Sequence, residues 1–282
     1  MNIVYLISVI FGVSAQNVIK KPYTQKTGNS GVFFFSALTS LAALIFFVLT
    51  GGNWSFDAAI LWYSAGFAVS YALATVFMIS AIAVGSLSLT SLITSYSLMI
   101  PTFYGLLFLN DPVSFGLIPG LVLLVISLLL INKPSADAPI TWKWLLFVFL
   151  SFVGNGMCST VQKMQQIAFN EAYKNEFMIA ALAMVTVLMA ALSLVKERSH
   201  IVHNAKCGWH LALICGLLNG MVNLFVMLLQ GLMPMSLMFP LISAGGIIVT
   251  GIVSIAVYKE KLTAWQYVGF VLGIGAVVFL NL

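Results

Sequence analysis

Neutral amide side chains recur on single helical faces, and they are the residues best placed to do chemistry. In one apolar segment Asn219, Asn223 and Gln230 are spaced i, i+4 and i+11, so an α-helix puts them on one face. An unpaired amide in hydrocarbon costs several kcal/mol, so this stripe has no reason to face lipid. It therefore faces either a substrate cavity or a neighbouring helix.

Polar residues in five further apolar segments extend this pattern. Asn155 and Ser159 form a second stripe with Gln162 and Gln166, which are nearer to the end of their segment. Interhelical hydrogen bonds, worth only ~0.6 kcal/mol on average, are the alternative use of such groups, and Ser and Thr also bond to their own helix backbone. The candidate substrate-binding residues are Gln16, Asn17, Tyr71, Thr75, Thr94, Asn155, Ser159, Asn219, Asn223 and Ser243.

Asp, Glu, Lys and Arg are missing from the middle of these apolar segments. Ionisable residues at membrane depth usually mark ion or proton pathways, so their absence favours facilitated diffusion or exchange over obligatory proton coupling. Asp111 and Glu260 fall at hairpin turns, where a helix-end role is expected. His200, His203 and Cys207 fit a solvated connector better than a metal site. The sequence has no catalytic triad, paired carboxylate or Gly-rich phosphate loop, so we expect neither an enzyme nor a cofactor.

The elements that must position the amides follow from composition. Of 282 residues, 61% are hydrophobic and 7% are charged, against about 25% charged in soluble domains. This excludes an ordinary cytosolic enzyme, and the thinly spread net charge of +5 does not suggest nucleic-acid binding. A membrane-spanning helix needs about 20 apolar residues. The charge-free stretches hold ten such spans, at 2–19, 32–50, 58–83, 86–109, 115–132, 144–166, 177–195, 208–230, 236–258 and 264–281.

Basic residues are concentrated in the loops on one side of these predicted spans. Only Lys163 and Lys174 fall on the other side. Because cytoplasmic loops are enriched in Lys and Arg, the asymmetry predicts an integral plasma (inner) membrane protein with both termini outside the cytoplasm. The residues on the basic side are Lys20, Lys21, Lys26, Lys133, Lys143, Lys196, Arg198, Lys206, Lys259 and Lys261.

The spacing of the charges repeats once along the chain. Asp111 and Glu260 occupy equivalent places at an offset of 149, and near the start an offset of 142 pairs Gly12 with Gly154. Five spans are an odd number, so two successive five-span units lie in the membrane with opposite orientation. The fold class predicted is an all-α membrane protein with ten transmembrane helices as two inverted repeats, 1–133 and 134–282. Inverted repeats are typical of secondary transporters.

The segment 258–269 (YKEKLTAWQYVG), followed by Gly273 and Gly275, resembles the last hairpin of the drug/metabolite transporter superfamily, in particular its ten-span EamA-type branch. The resemblance implies transport of small organic metabolites through a central cavity lined by spans 1, 3, 4, 6, 8 and 9. Weaker matches are residues 111–114 with Gly120, and Phe11-Gly12 with Lys21.

These features together predict a secondary transporter of a small metabolite, such as an amino acid or amine. A membrane-embedded lipid-modifying enzyme and a non-transporting membrane scaffold are the alternatives. The partners predicted are the small-molecule substrate and the lipid bilayer. Glycine pairs in spans 5 and 10, Gly116/Gly120 and Gly269/Gly273, serve either packing between the halves or a homodimer contact.

Overall fold

The computed structural model describes residues 2–51, 57–84, 90, 93–94, 96–131, 141–256 and 263–280. No strand occurs in these ranges, which confirms the all-α prediction. Residues 258–262 of the hairpin motif, Glu260 included, and Lys133 lie outside them. The helices are α1 (Asn2–Thr27), α2 (Val32–Thr50), α3 (Ile60–Val84), α4 (Met99–Phe108), α5 (Leu117–Ile131), α6 (Trp142–Ala168), α7 (Lys174–Lys196), α8 (Ile201–Leu232), α9 (Met235–Ala256) and α10 (Ala264–Leu280).

Six of the helices in the described ranges are long and apolar enough to cross a membrane, namely α1, α2, α3, α6, α7 and α8. The apolar stretches of α4, α5, α9 and α10 are shorter. Even α2, with 19 residues, extends over roughly 28 Å at 1.5 Å per residue, close to the thickness of a bilayer core. The chain therefore has the long apolar helices of a multi-pass membrane protein.

Contacts between helix termini define two opposite ends of the bundle. The backbone of Phe33, at the start of α2, donates to Glu197 directly after α7. At the other end the amide of Asn175, at the start of α7, donates to the carbonyl of Gly51 after α2. We call the first end the basic end, because five basic residues lie on the helix segments and turns there, namely Lys20, Lys26, Lys196, Arg198 and Lys206. We call the second end, where Lys163 and Lys174 lie, the far end.

The largest buried cluster holds α2, α3 and α7 together. Phe47 of α2 and Phe177 of α7 are fully buried, and Phe67 of α3 meets Phe177 edge to face with ring centroids 6.1 Å apart. Met227 of α8 and Val161 of α6 belong to the same cluster. This packing fixes α6 and α8, which carry most of the amides, against a common apolar support.

One close helix contact occurs twice, once on α1 and once on α6. Gly12 of α1 faces Val222 of α8, whose Cγ2 would lie 2.5 Å from a Cβ at Gly12. Gly154 of α6 faces Leu73 of α3, whose Cβ would lie 2.9 Å from a Cβ at Gly154. The two glycines are 142 residues apart and their two partners are 149 residues apart, which are the offsets that the sequence indicates.

A second contact recurs at the same two offsets. The Ser14 hydroxyl of α1 donates to the Gly246 carbonyl of α9 at 3.4 Å. On α6, Gly156 faces the carbonyl of Ser97, which would lie 2.6 Å from a Cβ at Gly156. Ser14 and Gly156 are 142 residues apart, and Ser97 and Gly246 are 149 apart. Positions 142 residues apart on α1 and α6 therefore approach positions 149 residues apart on their partner segments.

Helices α5 and α10 present equivalent residues to each other. The Ala276 carbonyl would lie 3.3 Å from a Cβ at Gly120, while the Ser127 hydroxyl donates to the Gly269 carbonyl at 2.6 Å. Gly120 and Gly269, and likewise Ser127 and Ala276, are 149 residues apart. These glycines thus serve packing within the chain. A homodimer through α5 and α10 stays a prediction and would use their outward faces.

The Gly154 contact gives a stability prediction. Substitution Gly154→Ala places a Cβ within 2.6 Å of the Ala74 backbone nitrogen and 2.7 Å of the Ser70 carbonyl oxygen. Backbone atoms cannot turn aside, so we expect a loss of about 1–3 kcal/mol in the free energy of unfolding. Gly275→Ala is the matched control, because its nearest neighbour would be Leu123 Cδ1 at 3.6 Å. Thermal unfolding of purified protein in detergent measures both, and equal losses would contradict the tight crossing at Gly154.

Candidate functional site

Four amide side chains form a continuous hydrogen-bonded row, the amide chain, between α6, α8 and α1. Gln162 Nε2 donates to Asn223 Oδ1 at 2.9 Å, and Asn223 Nδ2 donates to Asn219 Oδ1 at 3.0 Å. Asn219 Nδ2 then donates to Gln16 Oε1 at 3.2 Å. Gln162 and Gln16, at its two ends, are buried, and the two asparagines between them are half-buried.

Local sequence explains how α8 reaches its neighbours. Asn219 and Asn223 lie one turn apart, so their side chains meet on one face of the helix. Gly216 and Gly220, also one turn apart, let α2 approach closely, and a Cβ at Gly220 would lie 2.6 Å from the Phe46 ring. With Gly12 of α1 against the same helix, α8 is held close enough for its amides to reach Gln16 and Gln162.

A second amide cluster lies nearer to the far end. Gln166 Nε2 donates to Gln230 Oε1 at 2.8 Å, and Gln230 Nε2 donates to the Ser159 carbonyl at 3.1 Å. The Lys163 ammonium donates to the Gln230 backbone carbonyl, in the last turn of α8. Carbonyls there have no partner within the helix, and the dipole favours a positive charge beside them. Lys163 therefore caps the C-terminus of α8.

Asn155 is an exposed polar residue of α6. The Asn155 side chain is exposed, although Ser151 and Gln162, on the same face of α6, are buried. The exposed apolar residue Phe149 points about 120° away around the helix, so Asn155 does not share its face. Asn155 Nδ2 donates to the Ser97 hydroxyl at 2.6 Å, which ties α6 to the segment that precedes α4.

Only part of the predicted site is brought together. Gln16, Asn219 and Asn223 join in the amide chain, and Ser159 contributes its backbone carbonyl to the second cluster. The exposed Asn17 is 142 residues before Ser159, at the equivalent position of α1. The amide chain thus unites residues that the sequence places on three separate segments.

The remaining candidates have other surroundings. The Thr94 hydroxyl donates to the Thr90 carbonyl of its own segment at 2.8 Å. Tyr71 packs against the large apolar cluster, and Thr75 is half-buried one turn further on. Ser243 lines a separate, mostly apolar pocket between α4, α5 and α9 that includes Met99.

Gln162, Gln166 and Gln230 belong to the two amide clusters but are absent from the predicted set. Their helical spacing with Asn155, Ser159, Asn219 and Asn223 is visible in the sequence. Because they are near the ends of their segments, the sequence did not indicate that they are buried. In the structure all three are at most 2% exposed. Gln166 Oε1 and the adjacent Gln165 Oε1 are buried without a hydrogen-bond partner among the described residues.

Two carboxylates lie at helix starts. Asp111 Oδ2 accepts a hydrogen bond from the Ser236 backbone at 2.9 Å, in the first turn of α9, which confirms a helix-end role. Glu197 accepts from the backbones of Phe33 at 2.9 Å and Phe34 at 2.8 Å, in the first turn of α2. Burial raises the pKa of the Glu197 carboxyl, and those backbone donors partly oppose the rise.

This raised pKa predicts how stability changes with pH. An acid with a folded-state pKa above its unfolded value favours folding fully at low pH, and that contribution is lost as pH rises through the folded pKa. We expect the melting temperature of the wild type to fall, relative to Glu197→Gln, as pH rises above the ordinary carboxyl value of 4.5. Thermal unfolding of both proteins between pH 4 and pH 8 measures the difference. A melting temperature of the wild type that rises relative to Glu197→Gln over this pH range would contradict the burial of this carboxyl.

Comparison with known proteins supports the fold and names no family. No family model matches the chain, and no curated protein matches it. Among solved structures, 29 chains match. One is a crystal structure that covers 98% of this chain and 94% of its own, with a TM-score of 0.76 and 10% sequence identity. The fold is shared. At such low identity the likeness concerns the fold alone.

Proposed function

We propose that the chain is a secondary transporter of the ten-span EamA type in the drug/metabolite transporter superfamily. It moves a small polar metabolite, such as an amino acid or amine, across the plasma membrane by alternating access. The amide chain carries the proposal, because it joins three membrane-length helices, α1, α6 and α8. Amides placed among such helices offer several donors and acceptors to a polar ligand.

An inverted repeat of α1–α5 and α6–α10 accounts for the helix pairing. Helix α1 packs on α8 and α9, and α6 packs on α3 and α4, so each contact has a counterpart when the two sets are exchanged. Likewise α2 packs on α8 and α7 packs on α3. The glycine contacts at offsets of 142 and 149 support the same relation. Secondary transporters of this kind bind substrate near the midplane, between the repeats.

The amide chain contains a joint between the two halves. Gln16 belongs to the first half, whereas Gln162, Asn219 and Asn223 belong to the second. Substrate entry breaks the 3.2 Å bond between Asn219 and Gln16, while the Asn223–Asn219 bond stays within α8. A substrate that hydrogen-bonds to both freed amides replaces the broken contact. Because none of its four side chains is ionised, the amide chain suits a ligand of zero net charge.

Transport in proteoliposomes tests the site. The double variant Asn219→Ala/Asn223→Ala removes both central amides, and we expect counterflow of a labelled mixture of neutral amino acids and amines to fall at least tenfold. This corresponds to the loss of about 1.4 kcal/mol or more of binding to the ligand. Thr160→Val is the control, because the Thr160 hydroxyl donates to the Gly156 carbonyl of its own helix and Thr160 is not among the candidate residues. Equal rates in folded wild type and double variant would contradict the site.

The neutral site also predicts the energetics of transport. None of the four side chains of the amide chain titrates near neutral pH. We therefore expect counterflow to continue at a similar rate when an imposed pH gradient is collapsed by a protonophore. The same vesicles with and without protonophore provide the comparison. Strict dependence of flux on the gradient would contradict facilitated diffusion or exchange.

A non-transporting membrane scaffold is the second candidate. It is favoured by one observation, namely that the amides of the chain hydrogen-bond one another, as sealed helix contacts do. The exposed Asn155 favours the transporter. In the counterflow experiment a folded wild type without flux of any tested metabolite supports the scaffold.

A further inference from the structure

One exposed face of α8 changes in chemical character along the helix. In the apolar part of the helix this face carries aliphatic side chains, and Ile214 and Leu217 are 48% and 50% exposed. Toward the basic end its exposed side chains are aromatic and then basic or imidazole-bearing, namely Trp209, His210, Lys206 and His203. We call these last four residues the headgroup face. The exposed surface of α8 thus passes from aliphatic to aromatic to basic within about four turns.

The length of α8 places this change of character at a membrane surface. Its 32 residues extend over roughly 48 Å at 1.5 Å per residue, whereas the hydrocarbon core of a bilayer is about 30 Å thick. Part of the helix must therefore lie among the lipid headgroups. Tryptophan is enriched at the boundary between hydrocarbon and headgroups, so Trp209 marks that boundary and Lys206 and His203 lie in the headgroup layer.

Contacts on the opposite side of the same turns hold the headgroup face outward. The backbone of α8 is non-helical at Gly208, and a Cβ at Gly208 would lie 2.9 Å from the ring of Tyr23 in α1. The fully buried Asn204 donates to the Ser30 carbonyl, just before α2, at 2.8 Å. The first turns of α8 are therefore fixed against α1 and the α1–α2 connection, and their other side is exposed.

The charges of the described residues favour an anion at this end of the bundle. The carboxylate that the described part of the chain places at the basic end, Glu197, is 3% exposed, and its oxygens accept hydrogen bonds from the start of α2. It is therefore turned away from the surface. The far end, by contrast, has four described carboxylates, namely Asp57, Asp111, Glu171 and Glu176.

The headgroup face combines a cation with several N–H donors. The Lys206 ammonium, the indole of Trp209 and the imidazoles can all donate to phosphate oxygens. His203 Nε2 lies 3.4 Å from Cys207 Sγ, and the rings of Trp209 and His210 meet edge to face with centroids 6.1 Å apart. These contacts hold the rings in place beside Lys206. Donors next to exposed aliphatic side chains match a molecule with an anionic head and an apolar tail.

We propose that the headgroup face binds an anionic phospholipid, with its phosphate at Lys206, His203 and Trp209 and its acyl chains along Ile214 and Leu217. A zwitterionic lipid carries its own cation and gains less from Lys206, so the site is selective for net negative charge. One basic residue near an anionic surface changes affinity about fivefold. The proposal is independent of the transport function, because it concerns the outer surface of α8.

Fluorescence quenching by brominated lipids tests the site in a bilayer. The variant used retains Trp209 and the buried Trp144, and its other four tryptophans are replaced by phenylalanine. It is reconstituted in phosphatidylcholine vesicles in which brominated phosphatidylglycerol or brominated phosphatidylcholine replaces a rising fraction of the lipid. We expect phosphatidylglycerol to associate with Trp209 at least fivefold more strongly than phosphatidylcholine, and 0.5 M salt to weaken this preference because it screens exposed charges.

Matched variants separate a local site from the general charge of the basic end. We expect His203→Gln/Lys206→Gln to abolish the preference and Lys206→Arg, which keeps the charge, to retain it. Lys143→Gln is the control, because Lys143 is exposed at the same end but lies on α6, over the Phe147 ring. Equal quenching by the two lipids in the folded parent protein overturns the proposal, as does a preference that is insensitive to salt. An equal loss in Lys143→Gln also overturns it.

Discussion

A polar group surrounded by hydrocarbon must find its hydrogen-bond partner inside the protein, and most of this fold follows from that constraint. The amides of α8 meet it by pairing with Gln16 of α1 and Gln162 of α6, so three helices are fixed around one row of bonds. The small residues beside them, such as Gly12 and Gly216, allow the close approach that these short side chains require. The hydrogen bonds between the amides and the packing of the helices therefore depend on the same contacts.

Charge obeys the same constraint at the ends of the helices. Asp111 and Glu197 lie at helix starts, where free N–H groups and the helix dipole favour an anion, and Lys163 lies at a helix end, where carbonyls favour a cation. Each of these charged groups thus has partners on the backbone, and Lys163 also interacts with the charge of Glu171. This leaves the middle of the bundle to neutral groups, which is where the amide chain lies.

The close helix contacts of this fold require small residues at only a few positions. A helix crossing needs a small residue only at the point of closest approach, as at Gly12 and Gly154. Apolar residues elsewhere can exchange freely because lipid and neighbouring helices accept any of them. The contacts at offsets of 142 and 149 accordingly involve small residues, such as Gly12, Gly154 and Gly120.

The sequence by itself determined the helices, because runs of apolar residues between charges are a local property, and it determined which residues of α8 share a face. Only the tertiary structure decided their partners. Glu197 meets Phe33 across 164 residues, Gln162 meets Asn223 across 61, and Ser243 faces a different pocket altogether. Helical periodicity fixes the direction of a side chain relative to its own helix. How each helix is rotated and tilted against its neighbours depends on the packing of the whole bundle, and that rotation selects which side chains meet.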